Sequence, residues 1–188
     1  MEQSELLRFF VQVMEMLGVR YLVTGSLATT AYGEPRFTND IDVVVDLRPE
    51  HVDGFCAAFS APQFYLSRDA VAAAVRDRHQ FNVIEPASGA KIDVMIASDS
   101  AFDRGRLTRA IRLHVAPDLE ACFSSPEDVI IKKMQYYKEG GSDKHVRDIL
   151  GVLKVRGHDL DRDYVARWAK EFELTDIWNR IRQQAGGT

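Results

Sequence analysis

Residues 21–46 read YLVTGSLATTAYGEPRFTNDIDVVVD, and the remaining chain is arranged around them. An apolar run, Tyr21-Leu22-Val23, ends at Thr24-Gly25-Ser26. A short helical stretch follows, then a Gly33/Pro35 turn, then a second apolar run, Ile41 to Val45, entered through Asp40 and carrying Asp42. Successive side chains of a strand point to opposite faces, so Asp40 and Asp42 share one face while Ile41, Val43 and Val45 share the other. Two carboxylates on an otherwise apolar strand are costly unless a cation or hydrogen-bond donors satisfy them. Gly25, at the end of the first strand, lets a ligand approach the backbone closely. Ser26 suits the N-cap of the helix that follows, and a helix N-terminus offers free N–H groups and positive dipole to an anion. The stretch thus sets an anion seat, for phosphate above all, beside a seat for a divalent metal.

The totals bound the rest. At 188 residues, with 46% hydrophobic and 28% charged side chains, the chain has enough apolar surface for one globular core plus an extension. No apolar run approaches the roughly 20 residues of a membrane span. The N-terminus, MEQSELLRFF, lacks the basic-then-apolar pattern of a secretory signal, so a cytoplasmic chain is expected. Cys56 and Cys122 sit in apolar company and read as free thiols, and no Cys/His group has zinc spacing. A net charge of −4 excludes a generally basic nucleic-acid binder. The charge is uneven, however: residues 1–100 hold 8 Lys/Arg and 14 Asp/Glu, and residues 101–188 hold 16 and 14. Arg104, Arg106, Arg109 and Arg112 form a basic group, read either as a solvated face or as a contact for triphosphate or RNA.

In chain order, residues 4–17 carry Leu6, Phe9, Phe10, Val13 and Leu17 at helical spacing, with Ser4 as a cap and Gly18 as the stop. Strands are expected at 20–24 and 40–46, helices at 50–60 and, capped by Asp69, at 69–77. Residues 79–85 and 91–96 read as an antiparallel hairpin around Pro86-Ala87-Ser88-Gly89. The second of these strands, KIDVMI, holds a third carboxylate, Asp93, facing away from Ile92 and Val94. Residues 101–110 read as a short helix or loop, and 111–115 as a strand. Ser124-Ser125-Pro126-Glu127-Asp128 is a strong helix start, followed by four helices: to Gly140-Gly141, over 143–155, from Asp161, and from Leu174 to Ile181.

In the first of those helices Val129, Ile130, Met134, Tyr136 and Tyr137 define the packed face. Lys133 points into the middle of that face and Lys132 away from it. An inward lysine is paired, lines a cleft, or snorkels along apolar surface to water.

The order Gly25-Ser26, short helix, then Asp40-Ile41-Asp42 after thirteen intervening residues resembles the nucleotidyltransferase superfamily. Arg36 and Thr38 stand where relatives often carry Arg and Ser or Thr, and the superfamily's third aspartate, on the neighbouring strand, corresponds to Asp93. The segment EDVIIKKMQYYKEGGSDKHVRDILGVL, with the later LDRDYVARWAKEF, resembles a widespread bacterial family of nucleotidyltransferase-like proteins. Its relatives have a Lys at the place of Lys133 and Arg-Asp at Arg147-Asp148; His145 and Val146 replace their aromatic or Gln residues. More distantly the chain resembles nucleotidyltransferase toxins of type IV toxin–antitoxin and abortive-infection systems, which implies an antitoxin partner.

The expected fold is α+β: a nucleotidyltransferase-like mixed β-sheet core flanked by helices over residues 1–120, and a C-terminal helical module over 121–188. The resemblance implies an enzyme moving an NMP from an NTP to an acceptor hydroxyl on RNA, tRNA or protein. The alternatives are transfer to a small molecule of aminoglycoside type, and a non-catalytic nucleotide- or partner-binding relative. Asp40, Asp42 and Asp93 would bind one or two Mg²⁺. Gly25 and Ser26 would hold phosphates, with Arg36, Thr38 and Asp148 at the nucleotide. Lys133 would neutralise charge on the triphosphate.

Overall fold

The computed structural model describes residues 1–34 and 38–186. The chain divides into two compact units, Met1–Ser26 with Phe37–Phe123, and Leu27–Arg36 with Ser124–Thr188.

The first unit is built on a six-stranded mixed sheet, β1 (Tyr21–Val23), β2 (Asp40–Val45), β3 (Gln80–Glu85), β4 (Ala90–Ile96), β5 (Ile111–Ala116) and β6 (Leu119–Phe123), in the order β3-β4-β2-β1-β6-β5. β2 lies antiparallel to β1 and parallel to β4, and β6 runs parallel to β1. The fold class is therefore the α+β class the sequence led us to expect. β6 is an addition: Leu119, Ala121 and Phe123 alternate inward, and β5 pairs with it antiparallel.

One face of the sheet is apolar along β2 and β4. Ile41, Val43 and Val45 of β2 and Ile92, Val94 and Ile96 of β4 are all buried there. Helices α1 (Gln3–Leu17), α3 (Val52–Ala58) and α4 (Arg68–Asp77) supply the other half of this core. Phe55 joins them to the sheet, its ring 4.7 Å from Phe59 and 5.6 Å from Phe81. Three helix starts differ from the sequence expectation, the first two because another side chain caps. Glu2 and Glu5 form the capping box of α1, so Ser4 falls inside the helix. Ser67 rather than Asp69 caps α4, accepting from the Ala70 amide at 3.3 Å. The helix expected over 50–60 is a 3₁₀ turn, Pro49–His51, running into α3.

The opposite face is split. Leu22 and Val44 pack with Ala97 and with Leu107 of α5 (Ala101–Thr108). Asp40 and Asp42 occupy the rest of that face on β2. The basic group of residues 104–112 is not one surface. Arg106 is buried, pairs with Asp103 at 3.2 Å and donates to Thr24 Oγ1 at 3.3 Å. Arg112 lies on β5 beside Glu15 and Glu120. Burial raises the Asp103 carboxyl, but Ser98 and Arg106 outweigh it and hold Asp103 below the usual carboxylate range.

The second unit is helical: α6 (Pro126–Gly140), α7 (Asp143–Arg156), α8 (Arg162–Glu171) and α9 (Thr175–Gly186), with most of α2 (Gly25–Tyr32). α6 is its axis. Eight of its first nine residues are buried, Ile131 included, because α7, α8 and α9 all pack on it. Tyr136 and Tyr137, expected on the packed face, are only half-buried. The first turn of α6 buries charge, and donors meet it. Asp128 accepts from the Tyr164 hydroxyl at 2.8 Å, with the Ser125 hydroxyl at 3.0 Å from its other oxygen. Glu127 accepts from the Asp161 amide at 3.1 Å. Gly33 fits residues 27–34 against α7: a Cβ there would stand 3.1 Å from the backbone of Gly151 and Val152. Lys154 and Glu34 close that contact at 2.6 Å. Among the described residues no helix is long and apolar enough to cross a membrane.

Candidate active site

The polar half of the split sheet face is a ladder of paired residues. β2 and β4 run parallel in unbroken register, so Asp40 faces Lys91 and Asp42 faces Asp93. β3 runs antiparallel on the far side of β4 and sets Asn82 against Asp93. Directly paired residues project to the same side of a sheet. Strand periodicity and register together therefore bring Asp40, Asp42, Asp93, Lys91 and Asn82 onto one face. Asp42 and Asp93 are half-buried, and Asp40 is exposed.

Two contacts shape the ladder. Lys91 Nζ lies 2.9 Å from Asp93 Oδ2 and 3.8 Å from Asp40 Oδ1. The hydrogen bond to Asp93 raises the Lys91 ammonium above its ordinary pKa against a smaller effect of burial. With its amide nitrogen toward β4, Asn82 donates to Asp93 Oδ1 at 2.8 Å. Neither residue was singled out from sequence. Lys91 was within reach, since a residue two before Asp93 shares its face; Asn82 required the hairpin register.

Gly25 and Ser26 open α2 just after β1. Thr24 extends the β1/β2 pairing, its amide donating to the Asp42 carbonyl at 2.8 Å. This delivers Gly25 to the side of Asp42. Gly25 has φ +61°, and a Cβ built on it would lie 2.0 Å from Asp42 Oδ2. The helix already includes Gly25, so Ser26 stands inside its first turn and not on the cap position expected for it. The glycine is thus required twice, by its left-handed backbone and by the carboxylate filling its side-chain space. Gly25→Val should displace Asp42 and lower the thermal midpoint of the metal-free protein. A variant melting with the parent would show that Asp42 has room to move aside.

The remaining expected positions are distributed as follows. Thr38 lies before β2, its carbonyl accepting from Gln3 Nε2 at 3.0 Å. Arg36 lies outside the described residues. Lys133 and Asp148 both belong to the helical unit, where Lys133 Nζ meets Asp148 Oδ2 at 2.6 Å. Both side chains are buried, 6% and 7% exposed, so this ammonium answers to an internal carboxylate. Lys132 is half-buried, with its ammonium 5.1 Å from the Tyr136 ring.

The donor set suits a hard divalent cation. Asp40, Asp42 and Asp93 offer only oxygen, on one face of two adjacent strands. As the side chains stand, no three His, Cys, Asp or Glu residues among those described are gathered closely enough to hold an ion. Lys91 draws Asp93 and Asp40 to itself, and Asp42 points at Gly25.

No family model and no curated protein matches the sequence. Solved structures do match the fold. The solution structure of the antibiotic-resistance factor ANT(2'')-Ia aligns over 100% of both chains at 13% identity and a TM-score of 0.57. The crystal structure of ANT(2'')-Ia in complex with adenylyl-2''-tobramycin aligns over 90% of this chain and 95% of its own, at 14% identity and a TM-score of 0.57. An antigenic nucleotidyltransferase-like protein from Paracoccidioides brasiliensis aligns over 81% and 76%, at 19% identity and a TM-score of 0.53. The fold is that of nucleotidyltransferases. On the chemistry of its donors, the sheet face carrying Asp40, Asp42 and Asp93, with Gly25-Ser26 beside it, is the candidate site.

Proposed function

We propose that the protein is a metal-dependent nucleotidyltransferase that moves an NMP from an NTP to an acceptor hydroxyl. The observation that carries this reading is the pairing of Asp42 with Asp93 across parallel β2 and β4, with Gly25 against Asp42. Asp40, Asp42 and Asp93 would hold one or two Mg²⁺, which when bound supplies the positive charge that offsets the phosphate oxygens. The first-turn amides of α2, at Gly25 and Ser26, would receive the terminal phosphates. The acceptor oxygen bonds to the α-phosphorus, the bond to the bridging oxygen breaks, and pyrophosphate leaves. Asp93 takes the hydroxyl proton, with Asn82 fixing its orientation. Arg36 and Thr38 would contact the nucleotide. Lys133 would neutralise charge on the triphosphate, which requires it to leave Asp148.

For the acceptor, one observation favours RNA over an aminoglycoside. The helical unit contains an open cavity of about 820 Å³ lined by Arg147, Lys154, Arg162 and Arg182. Glu34 is its one carboxylate among the described lining residues, and Lys154 already pairs with it. Such a surface attracts a phosphate backbone and repels a polyamine. A toxin-like role, with an antitoxin as partner, is compatible with an RNA acceptor. The experiment is mass spectrometry of acceptors incubated with each NTP, Mg²⁺ and the protein, in parallel with total tRNA, cell extract and an aminoglycoside panel. An NMP adduct on tRNA is the expected result. An adduct confined to aminoglycosides would reverse the choice of acceptor, and none on any acceptor would leave a nucleotide-binding relative without catalysis.

A further inference from the structure

Three carboxylates on one sheet face repel one another, and the metal-free protein must balance them from its own side chains. Among the described residues of β2, β4 and β3, Lys91 is the one cation. Its ammonium approaches both oxygens of Asp93, at 2.9 and 3.2 Å, and stands 3.8 Å from Asp40. It therefore lies between two of the three carboxylates that the metal reading above assigns to an ion. The geometry is set by the fold: Lys91 shares the face of Asp93 by strand period and faces Asp40 by register. Its side chain is 36% exposed, so the ammonium has water to move into.

We infer that Lys91 is a built-in competitor for the divalent metal: it holds Asp93 and Asp40 in the metal-free protein and must release both before an ion can bind them. This rests on the metal reading of the Asp40–Asp42–Asp93 face. Two cations within a few ångströms of the same carboxylates exclude each other. Lys91 thus lowers the affinity of the empty protein for metal alone. An incoming nucleotide, whose phosphates bring negative charge, would give the displaced ammonium a new partner and so couple metal binding to substrate binding. Lys91 acts through Asp93 and Asp40 and is a positioning residue.

The test is direct titration of the full-length protein with Mn²⁺ alone, read by electron paramagnetic resonance of free ion, alongside metal-free thermal denaturation. Lys91→Met removes the charge and keeps the length of the side chain. It should bind Mn²⁺ about tenfold more tightly than the parent, allowing for partial solvent screening of the ammonium. Its metal-free melting midpoint should fall, and saturating Mn²⁺ should restore it. Lys138→Met removes an exposed lysine of the helical unit paired with Glu173, and should leave Mn²⁺ affinity unchanged. Lys91→Arg keeps the competing charge and should not bind Mn²⁺ more tightly than the parent, which covers the case of Lys91→Met failing to fold. Unchanged or weaker Mn²⁺ binding in Lys91→Met, or tighter binding in Lys91→Arg, overturns the competition while leaving the metal reading standing. No Mn²⁺ binding in parent and both Lys91 variants overturns the two together.

Discussion

Asp42→Asn is expected to abolish nucleotidyl transfer without unfolding the protein. Asp42 sits mid-ladder, opposite Asp93 across the β2/β4 pairing and against Gly25 on the β1 side. Asparagine keeps the volume that Gly25 leaves open, so the packing survives. It removes the negative charge that would bind the cation on which the displacement depends. Metal stabilisation of developing phosphoryl charge contributes several kcal/mol, and a loss of about 4 kcal/mol is about a thousandfold in rate. A single-turnover rate reduced by at least about three orders of magnitude is the expected result. Mg²⁺-dependent NTP binding should weaken in calorimetry. The melting midpoint should stay at or above that of the parent, since one of three like charges on a face has gone. Parent-like Mg²⁺–NTP binding in Asp42→Asn would remove Asp42 from the metal site.

The carboxylate face was legible in the sequence because strand alternation is a local signal. Asp40 and Asp42 lie two residues apart, and Asp93 alternates against Ile92 and Val94 in the same way. Their meeting was not local: it needed the parallel register of β2 and β4, strands separated by two helices and β3. The same non-local step hid Lys91 as the partner of Asp40. Gly25 was legible as a permissive backbone position, but what occupies its side-chain space, Asp42, was not.

The charged residues show where sequence reading reaches its limit. Arg104, Arg106, Arg109 and Arg112 look alike in a list, yet Arg106 is buried beside Thr24 while Arg112 lies on β5. Spacing alone does not reveal such a division, because it depends on where α5 covers Leu22 and Val44. β6 had its own signal, Leu119, Ala121 and Phe123 in alternation after the Pro117-Asp118 turn, but Glu120 and Cys122 break up a run of only five residues. Helical phase, by contrast, reported Lys133 correctly as inward.

Lys133→Ala is expected to cost stability first, and activity with it. Helical phase turns Lys133 inward, and the turn at Gly141 brings α7 back so that Asp148, fifteen residues on, receives its ammonium at 2.6 Å. With both side chains more than nine-tenths buried, removing the lysine takes from the buried carboxylate its charged partner, which costs about 3–5 kcal/mol. Lys132→Ala loses only a half-buried ammonium near the Tyr136 ring, worth about 1 kcal/mol or less. Denaturant melts of the two variants should therefore differ by several-fold in lost stability. A catalytic part for Lys133 is separated from this structural one by the double variant Lys133→Met, Asp148→Leu. Replacing a buried ion pair by apolar side chains of similar volume is often neutral or stabilising, so the double variant should fold with near-parent stability. If transfer stays lost while stability returns, Lys133 supplies charge to the reaction. If transfer returns with stability, the lysine serves only to neutralise Asp148 inside the helical unit. Equal destabilisation by Lys132→Ala and Lys133→Ala would contradict the buried pair itself.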